Sequence, residues 1–137
     1  MVLADQGDQA PEKVTRVVLC AGKVYYDLLE RRRAEEIDDI AIIRVEQLYP
    51  FPDDDVMAIL KKYKGADELY WVQEEPMNMG AWYTSQHRIN RVKNKVKPEW
   101  EVQYAGRDSS ASPAAGYMAL HLKQLEEFIC DALDIQG

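Results

Sequence analysis

Apolar residues in this chain form short runs that alternate with longer stretches in which they recur every three or four positions. The runs "RVVLC" (16–20), "IAIIRV" (40–45), "LYWVQ" (69–73) and "WEVQY" (100–104) are rich in β-branched and aromatic residues. Runs of this length and composition predict β-strands. The first three have few polar interruptions, which is typical of strands buried on both faces of a parallel sheet.

The stretches between the strands predict helices. One begins after Lys23, and the next has Asp53 as its predicted N-cap, acids in its first turn, lysines in its last, and Gly65 as a left-handed closing residue. A third helix is expected to be capped by Asn78, and a fourth ends near Leu133. The predicted apolar stripes are Tyr25, Leu28, Leu29 and Arg32; Trp82, Ser85, Gln86, Ile89, Val92 and Val96; and Met118, Leu122, Leu125, Phe128, Ile129 and Leu133.

Strands that alternate with helices indicate βαβ units with right-handed crossovers. The sequence therefore predicts an α/β fold, a mostly parallel twisted sheet of about four to five strands with helices on both faces. Its 137 residues are enough for one domain with a real core. We expect this domain to occupy residues 14–137, and residues 1–13 to be a disordered leader or the cut end of a longer polypeptide.

Charge and cysteine content argue against several classes of function. With 17 lysines and arginines against 24 acids, the net charge of -7 argues against binding to nucleic acid or to anionic membrane surfaces. Cys20 and Cys130 lie in apolar runs, which predicts buried thiols in a reducing compartment rather than a disulfide or a metal site. The sequence offers no apolar run of the ~20 residues that span a bilayer and no targeting signal at its start.

In a parallel sheet, ligands gather at the carboxyl ends of the strands. Gly22-Lys23 lies where a strand meets a helix N-terminus, so it is either a weak anion site or a plain turn with a solvated lysine. Arg107 follows another predicted strand, in a turn with Ser109, Ser110 and Ser112. This turn is either an anion-binding nest or a loop held by its own hydrogen bonds, and Ser112 also reads as an N-cap.

Three further features have both a functional and an ordinary interpretation. Glu74 and Glu75 are candidates for an acid/base pair, but adjacent residues of an extended strand point to opposite faces. We therefore expect one acid to cap neighbouring N–H groups or meet an arginine and the other to face solvent or a partner. His87 belongs to a predicted basic helix face, which is either a solvated surface or a site for an acidic partner. His121 is expected at the edge of the core. The basic face contains Arg88, Arg91, Lys93, Lys95 and Lys97.

Four segments together resemble a known family. They are "RVVLCAGKVYYDLLERR", "IAIIRVEQLYPFP", "WVQEEPMNMGAW" and "YAGRDSSASPAAGYMALHLKQLEE". In order and spacing they resemble the C-terminal domain of the first component of the 2-oxoglutarate dehydrogenase complex, from Val14 to Leu133. Corresponding domains of pyruvate or branched-chain enzymes and of transketolase fit these motifs less well.

The resemblance implies an oxidoreductase of the tricarboxylic acid cycle with a transketolase-like architecture. In that family, thiamine diphosphate and magnesium are held by preceding domains, so the resemblance implies that this chain binds neither and has no catalytic residues of its own. It implies three kinds of partner: the enzyme's own N-terminal domains, the second subunit of a homodimer, and the lipoyl-bearing acyltransferase. It further implies allosteric regulation by AMP or acetyl-CoA, and a cytoplasmic location in bacteria or a mitochondrial one in eukaryotes.

The resemblance does not identify the effector contacts, so the strand-end rule supplies the candidates. They are Lys23, Arg44, Gln73 and Arg107. Met77, Met79 and Trp82 surround the turn after the third strand and are expected to pack against another domain or subunit, because large apolar side chains are unfavourable in water.

The sequence departs from the family pattern at two positions, and it also has one rival interpretation. Ala21 and Ala115 stand where the family usually has a serine and a threonine, which removes two hydroxyls able to bind an anion. The rival interpretation is a free-standing nucleotide- or effector-binding α/β module, which would be a monomer with one well-formed pocket.

Overall fold

The computed structural model describes residues 2–3, 11–45, 52–76, 80–107 and 117–135. Its strands are β1 (Val2–Leu3), β2 (Arg16–Cys20), β3 (Ile40–Val45), β4 (Glu68–Pro76) and β5 (Val102–Arg107). Its helices are α1 (Val24–Ala34), α2 (Asp53–Lys62), α3 (Gly80–Val96) and α4 (Tyr117–Leu133), and Pro11–Lys13 forms a 3-10 turn. The predicted α/β fold is confirmed.

The five strands form one sheet in the order β1-β3-β2-β4-β5. The neighbours from β3 to β5 are parallel, whereas β1 pairs antiparallel with the end of β3, Val2 opposite Val45 and Leu3 opposite Arg44. This two-residue strand lies within residues 1–13, the segment expected to be a leader. The domain boundary near residue 13 stays a prediction.

Alternate strand residues supply two cores, one on each face of the sheet. Val17, Leu19, Ile43 and Trp71 pack with the buried sides of α2 and α3. Val18, Cys20, Ile42 and Val72 pack with α1 and α4. Because successive strand residues point to opposite faces, each parallel strand needs apolar residues at nearly every position.

The structure corrects several predicted details. Pro52 occupies the N-cap of α2, and Asp53, the first helical residue, accepts a hydrogen bond from Arg91 of α3 at 2.6 Å instead. Gly65 is not in the left-handed region, since Gly22, with φ of 81°, is the described glycine with positive φ. Gln86 is exposed and not part of the buried α3 stripe. The predicted cap Asn78 lies outside the described residues.

The last two strands extend further than predicted. β4 begins at Glu68 and ends at Pro76, and β5 spans Val102–Arg107 rather than 100–104. Trp100 precedes β5, because its backbone N–H donates to the Lys97 carbonyl at 3.1 Å in a turn, and its buried indole Nε1 donates to the Ala66 carbonyl at 2.8 Å. Arg107 is therefore the last residue of a strand and not part of the following turn.

Candidate functional site

The predicted effector residues lie in a row along the carboxyl edge of the sheet. Arg44 is near the end of β3, Lys23 follows β2, Gln73 is in β4, and Arg107 ends β5. With about 4.8 Å between strands, this row spans about 14 Å.

Two of the four candidates lie together on the α1 face of the sheet. Lys23, at the N-terminus of α1, brings its Nζ to 4.0 Å from Glu74 Oε2, and its side chain is 81% exposed. Arg44 Nη1 donates to the hydroxyl of Tyr26 at 2.9 Å. Two cations thus flank the first turn of α1, where the helix dipole also favours negative charge.

Gln73 points to the opposite face and has a structural role. Its side chain is fully buried, and its Oε1 accepts from Trp71 Nε1 at 3.0 Å and from the backbone N–H of Trp82 at 2.8 Å. Trp82 is the third residue of α3, so Gln73 supplies an acceptor to one of the unpaired N–H groups of that helix. The structure does not bring Gln73 and Arg44 to a common ligand face.

Trp82 lies at the same edge, on the α3 side. It is half-buried against the core formed with α2 and α3, and its ring centroid is 5.8 Å from that of Tyr104 in β5. Met77 and Met79, the other predicted interface residues, lie outside the described residues. Trp82 is therefore packed beside the carboxyl edge of the sheet with part of its surface accessible.

Gly106 allows β4 and β5 to approach closely beside Trp82. A Cβ atom at this position would lie 2.6 Å from the Tyr104 hydroxyl and 2.8 Å from the Gln73 carbonyl oxygen. Arg107 follows it and pairs with Pro76 across a register shift between Gln73 and Pro76. The irregularity therefore lies at the carboxyl ends of β4 and β5, next to the candidate residue Arg107.

Other candidates from the sequence take ordinary positions. Glu74, 17% exposed, has its Oε2 4.0 Å from the Nζ of Lys23, a lysine rather than the predicted arginine, while the side chain of Glu75 is outside the described set. His87 is exposed on α3. Lys93 is buried and donates to the Pro98 carbonyl at 3.1 Å, so it does not belong to the predicted basic face. The side chain of His121, and all of Ser109, Ser110, Ser112 and Ala115, lie outside the description.

Both cysteines are free and buried, as predicted. Desolvation raises the pKa of Cys20 to about 12, against a smaller lowering by Arg44 on the neighbouring strand. The thiol is therefore neutral and unreactive in the folded protein.

Alkaline pH is expected to destabilise the fold through Cys20. The thiol's pKa is higher in the folded state than its ordinary value of 9.0, so the stability that the neutral thiol contributes is complete below pH 9 and is lost as pH rises toward 12. We predict that, over this range, the free energy of unfolding falls less steeply in Cys20→Ala than in the parent chain. Denaturant titrations at successive pH values measure both slopes, and equal slopes would contradict the assignment.

Tyr26 is the residue at this edge that the sequence reading missed. The helical spacing of Tyr25, Leu28, Leu29 and Arg32 defines the buried side of α1 and leaves Tyr26 on its outer side. An aromatic residue outside an apolar stripe is a signal that could have identified it. In the structure, its hydroxyl accepts a hydrogen bond from Arg44, one of the predicted effector residues.

Within the described residues, no three histidine, cysteine or acidic side chains come together as a metal site. In the same ranges, none of the helices combines the length and apolar character needed to cross a membrane.

Comparison with known proteins agrees with the motif resemblance. Residues 1–133 match the family model described as 2-oxoglutarate dehydrogenase C-terminal. The 2-oxoglutarate dehydrogenase E1 component of Azotobacter vinelandii is 50% identical over 98% of this chain and 14% of its own length. The E1 component of Haemophilus influenzae is 50% identical over 96% of the chain and 14% of its length, and that of Coxiella burnetii is 48% identical over 91% and 13%. The chain spans about one seventh of these relatives, and it belongs to the family of 2-oxoglutarate dehydrogenase C-terminal domains.

Proposed function

We propose that this chain is the assembly and regulatory domain of a 2-oxoglutarate dehydrogenase and is not catalytic by itself. The parent activity is the oxidative decarboxylation of 2-oxoglutarate, with transfer of the succinyl group to the lipoyl group of the second component, in the tricarboxylic acid cycle. The observation that carries the assembly role is Trp82, which Gln73 and Tyr104 hold half-buried at the carboxyl edge of the sheet.

The cofactors belong to other domains in this proposal. Thiamine diphosphate supplies the electron sink for the decarboxylation of 2-oxo acids, and magnesium accompanies its diphosphate. We assign this chemistry to the preceding domains. The similarity to E1 components supports this division, because about six sevenths of those relatives lie outside the matched region.

The assembly role uses Trp82 together with Met77 and Met79. An indole fixed by its neighbours loses little conformational freedom when a partner covers it, which favours an interface position. We assign this surface to the enzyme's own N-terminal domains or to the second subunit of a homodimer, with the lipoyl-bearing acyltransferase as the partner of the assembled enzyme. The bacterial origin of the relatives supports a cytoplasmic enzyme.

The regulatory role is assigned to the cations of the carboxyl edge. Lys23, Arg44 and Arg107 would bind the phosphates of AMP or acetyl-CoA, while Gln73 shapes the site from beneath by holding the start of α3. The buried amide of Gln73 makes it a supporting residue and not an effector ligand.

Calorimetric titration with AMP, acetyl-CoA and thiamine diphosphate tests this assignment. We expect the chain to bind AMP or acetyl-CoA and not thiamine diphosphate, and Arg107→Ala to weaken effector binding by ten- to a hundredfold, about the value of one charge-assisted contact. Arg33→Ala, an exposed arginine near the far end of α1, is the matched control and should leave binding unchanged. Failure of both effectors to bind would contradict the regulatory role. Binding of thiamine diphosphate alone would contradict the assignment of the cofactors to the preceding domains.

A further inference from the structure

The ring of Tyr26 lies in solvent beside the cations assigned to the effector. Tyr26 is the one large hydrophobic side chain of the described residues that is exposed, with 57% of its surface accessible. It is on the first turn of α1, away from the side that Tyr25, Leu28 and Leu29 bury against the sheet. A single exposed aromatic residue is ordinary on a protein surface, so its surroundings decide whether it has a role.

Two neighbours hold this ring in place. Arg44 Nη1 donates to its hydroxyl at 2.9 Å, and the guanidinium carbon lies 5.3 Å from the ring centroid. The ring of Tyr25 meets it edge-on, with centroids 5.3 Å apart and an angle of 76° between the planes. A side chain that is already ordered loses little conformational entropy when a ligand covers it.

Lys23 places a positive charge on the same turn of the helix. It is the N-cap of α1, with φ of −70° and ψ of −15°, and its carbonyl accepts from the backbone N–H of Tyr26 at 3.0 Å. Residues three apart on a helix are neighbours, with about 5–6 Å between their Cβ atoms. The side chain of Lys23 is 81% exposed and its Nζ lies 4.0 Å from Glu74 Oε2, so the ammonium remains accessible to an anionic ligand.

The exposed ring and the cations have the chemistry of the two ends of a nucleotide. An aromatic side chain stacks on the π-face that every nucleobase has. Lysine and arginine bind phosphate through charge-assisted hydrogen bonds. A nucleoside monophosphate carries its base and its phosphate on one sugar, so adjacent sites for a base and for an anion suit this class of ligand. Inorganic phosphate has no ring that could use Tyr26.

We propose that Tyr26 is the stacking platform for the base of the effector, with Lys23 and Arg44 on its phosphate. This inference rests on the proposed function and deepens it, because that function assigns residues to the phosphates and none to the base. Tyr26 thereby selects nucleotides over sugar phosphates of the same charge. Arg44 serves both ends of the ligand, since it also holds the hydroxyl of Tyr26. Trp82 packs on the other face of the sheet and takes no part.

Calorimetric titration with AMP and with ribose 5-phosphate tests the stacking, because the two ligands share the phosphate and differ in the base. We expect the chain to bind AMP about ten- to a hundredfold more tightly than ribose 5-phosphate, the contribution of one stacked base. Tyr26→Ala should reduce this preference to within about twofold, whereas Tyr26→Phe, which keeps the ring, should retain it. The ratio of the two affinities is the readout, since a displaced Arg44 would weaken both ligands alike.

The possible failures are distinguishable. If Tyr26→Ala keeps the preference of the parent chain for AMP, the inference is wrong and the proposed function stands. Loss of both ligands in Tyr26→Ala would show that Tyr26 acts only by holding Arg44, which also overturns the inference. A parent chain that does not bind AMP would overturn it as well, and if acetyl-CoA does not bind either, the regulatory role fails with it.

Photolabelling locates the base independently of affinity. The probe is 8-azidoadenosine 5′-monophosphate, which carries its reactive group on the base. After irradiation and digestion with trypsin, we expect the label on Tyr26 within the peptide of residues 24–31, and an excess of AMP should prevent the labelling. Label confined to other peptides would contradict the stacking platform.

Discussion

Replacing Gln73 with leucine is expected to lower the free energy of unfolding by about 2–4 kcal/mol. Its Oε1 accepts from two donors, the buried indole N–H of Trp71 and the backbone N–H of Trp82. Leucine fills a similar volume but leaves both donors without this acceptor, and each unsatisfied buried donor costs about 1–3 kcal/mol. Chemical denaturation of both proteins, monitored by circular dichroism, measures the difference.

Gln103→Leu is the matched control, because Gln103 is an exposed glutamine in the neighbouring strand β5. The same chemical change there should stay within about 0.5 kcal/mol of the parent chain. A Gln73→Leu protein as stable as the Gln103→Leu protein would show that the amide does not hold the start of α3. Hydrogen exchange at the amide of Trp82 would locate the loss, since that N–H should exchange faster in the variant.

Gly106→Ala is expected to cost about 2 kcal/mol, within the usual range for overpacking. The added Cβ would lie 2.6 Å from the Tyr104 hydroxyl and 2.8 Å from the Gln73 carbonyl oxygen, both closer than atoms of these types approach. The side chain of Tyr104 can rotate away, but the Gln73 carbonyl belongs to the β4 backbone, and its displacement would disturb the pairing of β4 with β5. Thermal and denaturant unfolding measure the cost.

Two further proteins separate the backbone contact from other effects. Gly65→Ala should be nearly neutral, since an added Cβ there has no described neighbour within 4 Å and the backbone is not left-handed. The added Cβ would also lie 2.8 Å from the Tyr104 ring carbon Cζ, so the ring must be removed to isolate the backbone contact. Gly106→Ala should remain destabilising in a Tyr104→Ala background, because the close approach to the Gln73 carbonyl persists. Full rescue by Tyr104→Ala would assign the strain to the tyrosine side chain and contradict the backbone explanation.

The sequence predicted the strands of the sheet centre well. The bounds predicted for β2 and β3, 16–20 and 40–45, match the structure because their apolar runs are continuous and end at turn or acidic residues. The predicted start of the edge strand β5 is two residues too early, because Trp100 has the aromatic side chain that is typical of a strand. Only its hydrogen bond to the Ala66 carbonyl shows that it fills the core before the strand begins.

Buried polar residues are what the local sequence could not predict. Arg16 lies in an apolar run, yet its Nη1 donates to the carbonyls of Asp131 and Ala132 at 3.0 and 2.9 Å and thereby anchors the end of α4. In the sequence, Gln73 is a candidate ligand at the end of a strand. Its structural role follows only from its hydrogen bonds with Trp71 and Trp82. The strand-end rule places the four candidates at one edge of the sheet, but the face to which Arg44 and Gln73 point depends on the register between strands, which no local pattern contains.

The central claim is that this domain assembles and regulates an enzyme whose chemistry lies elsewhere. The most direct test removes it from the full-length enzyme and measures decarboxylation of 2-oxoglutarate and sedimentation, with and without the 137-residue chain added back. We predict that the chain alone has no activity with thiamine diphosphate and magnesium, that the truncated enzyme loses both dimer and activity, and that mixing the two restores both. A truncated enzyme that stays dimeric, fully active and responsive to effectors would contradict the claim.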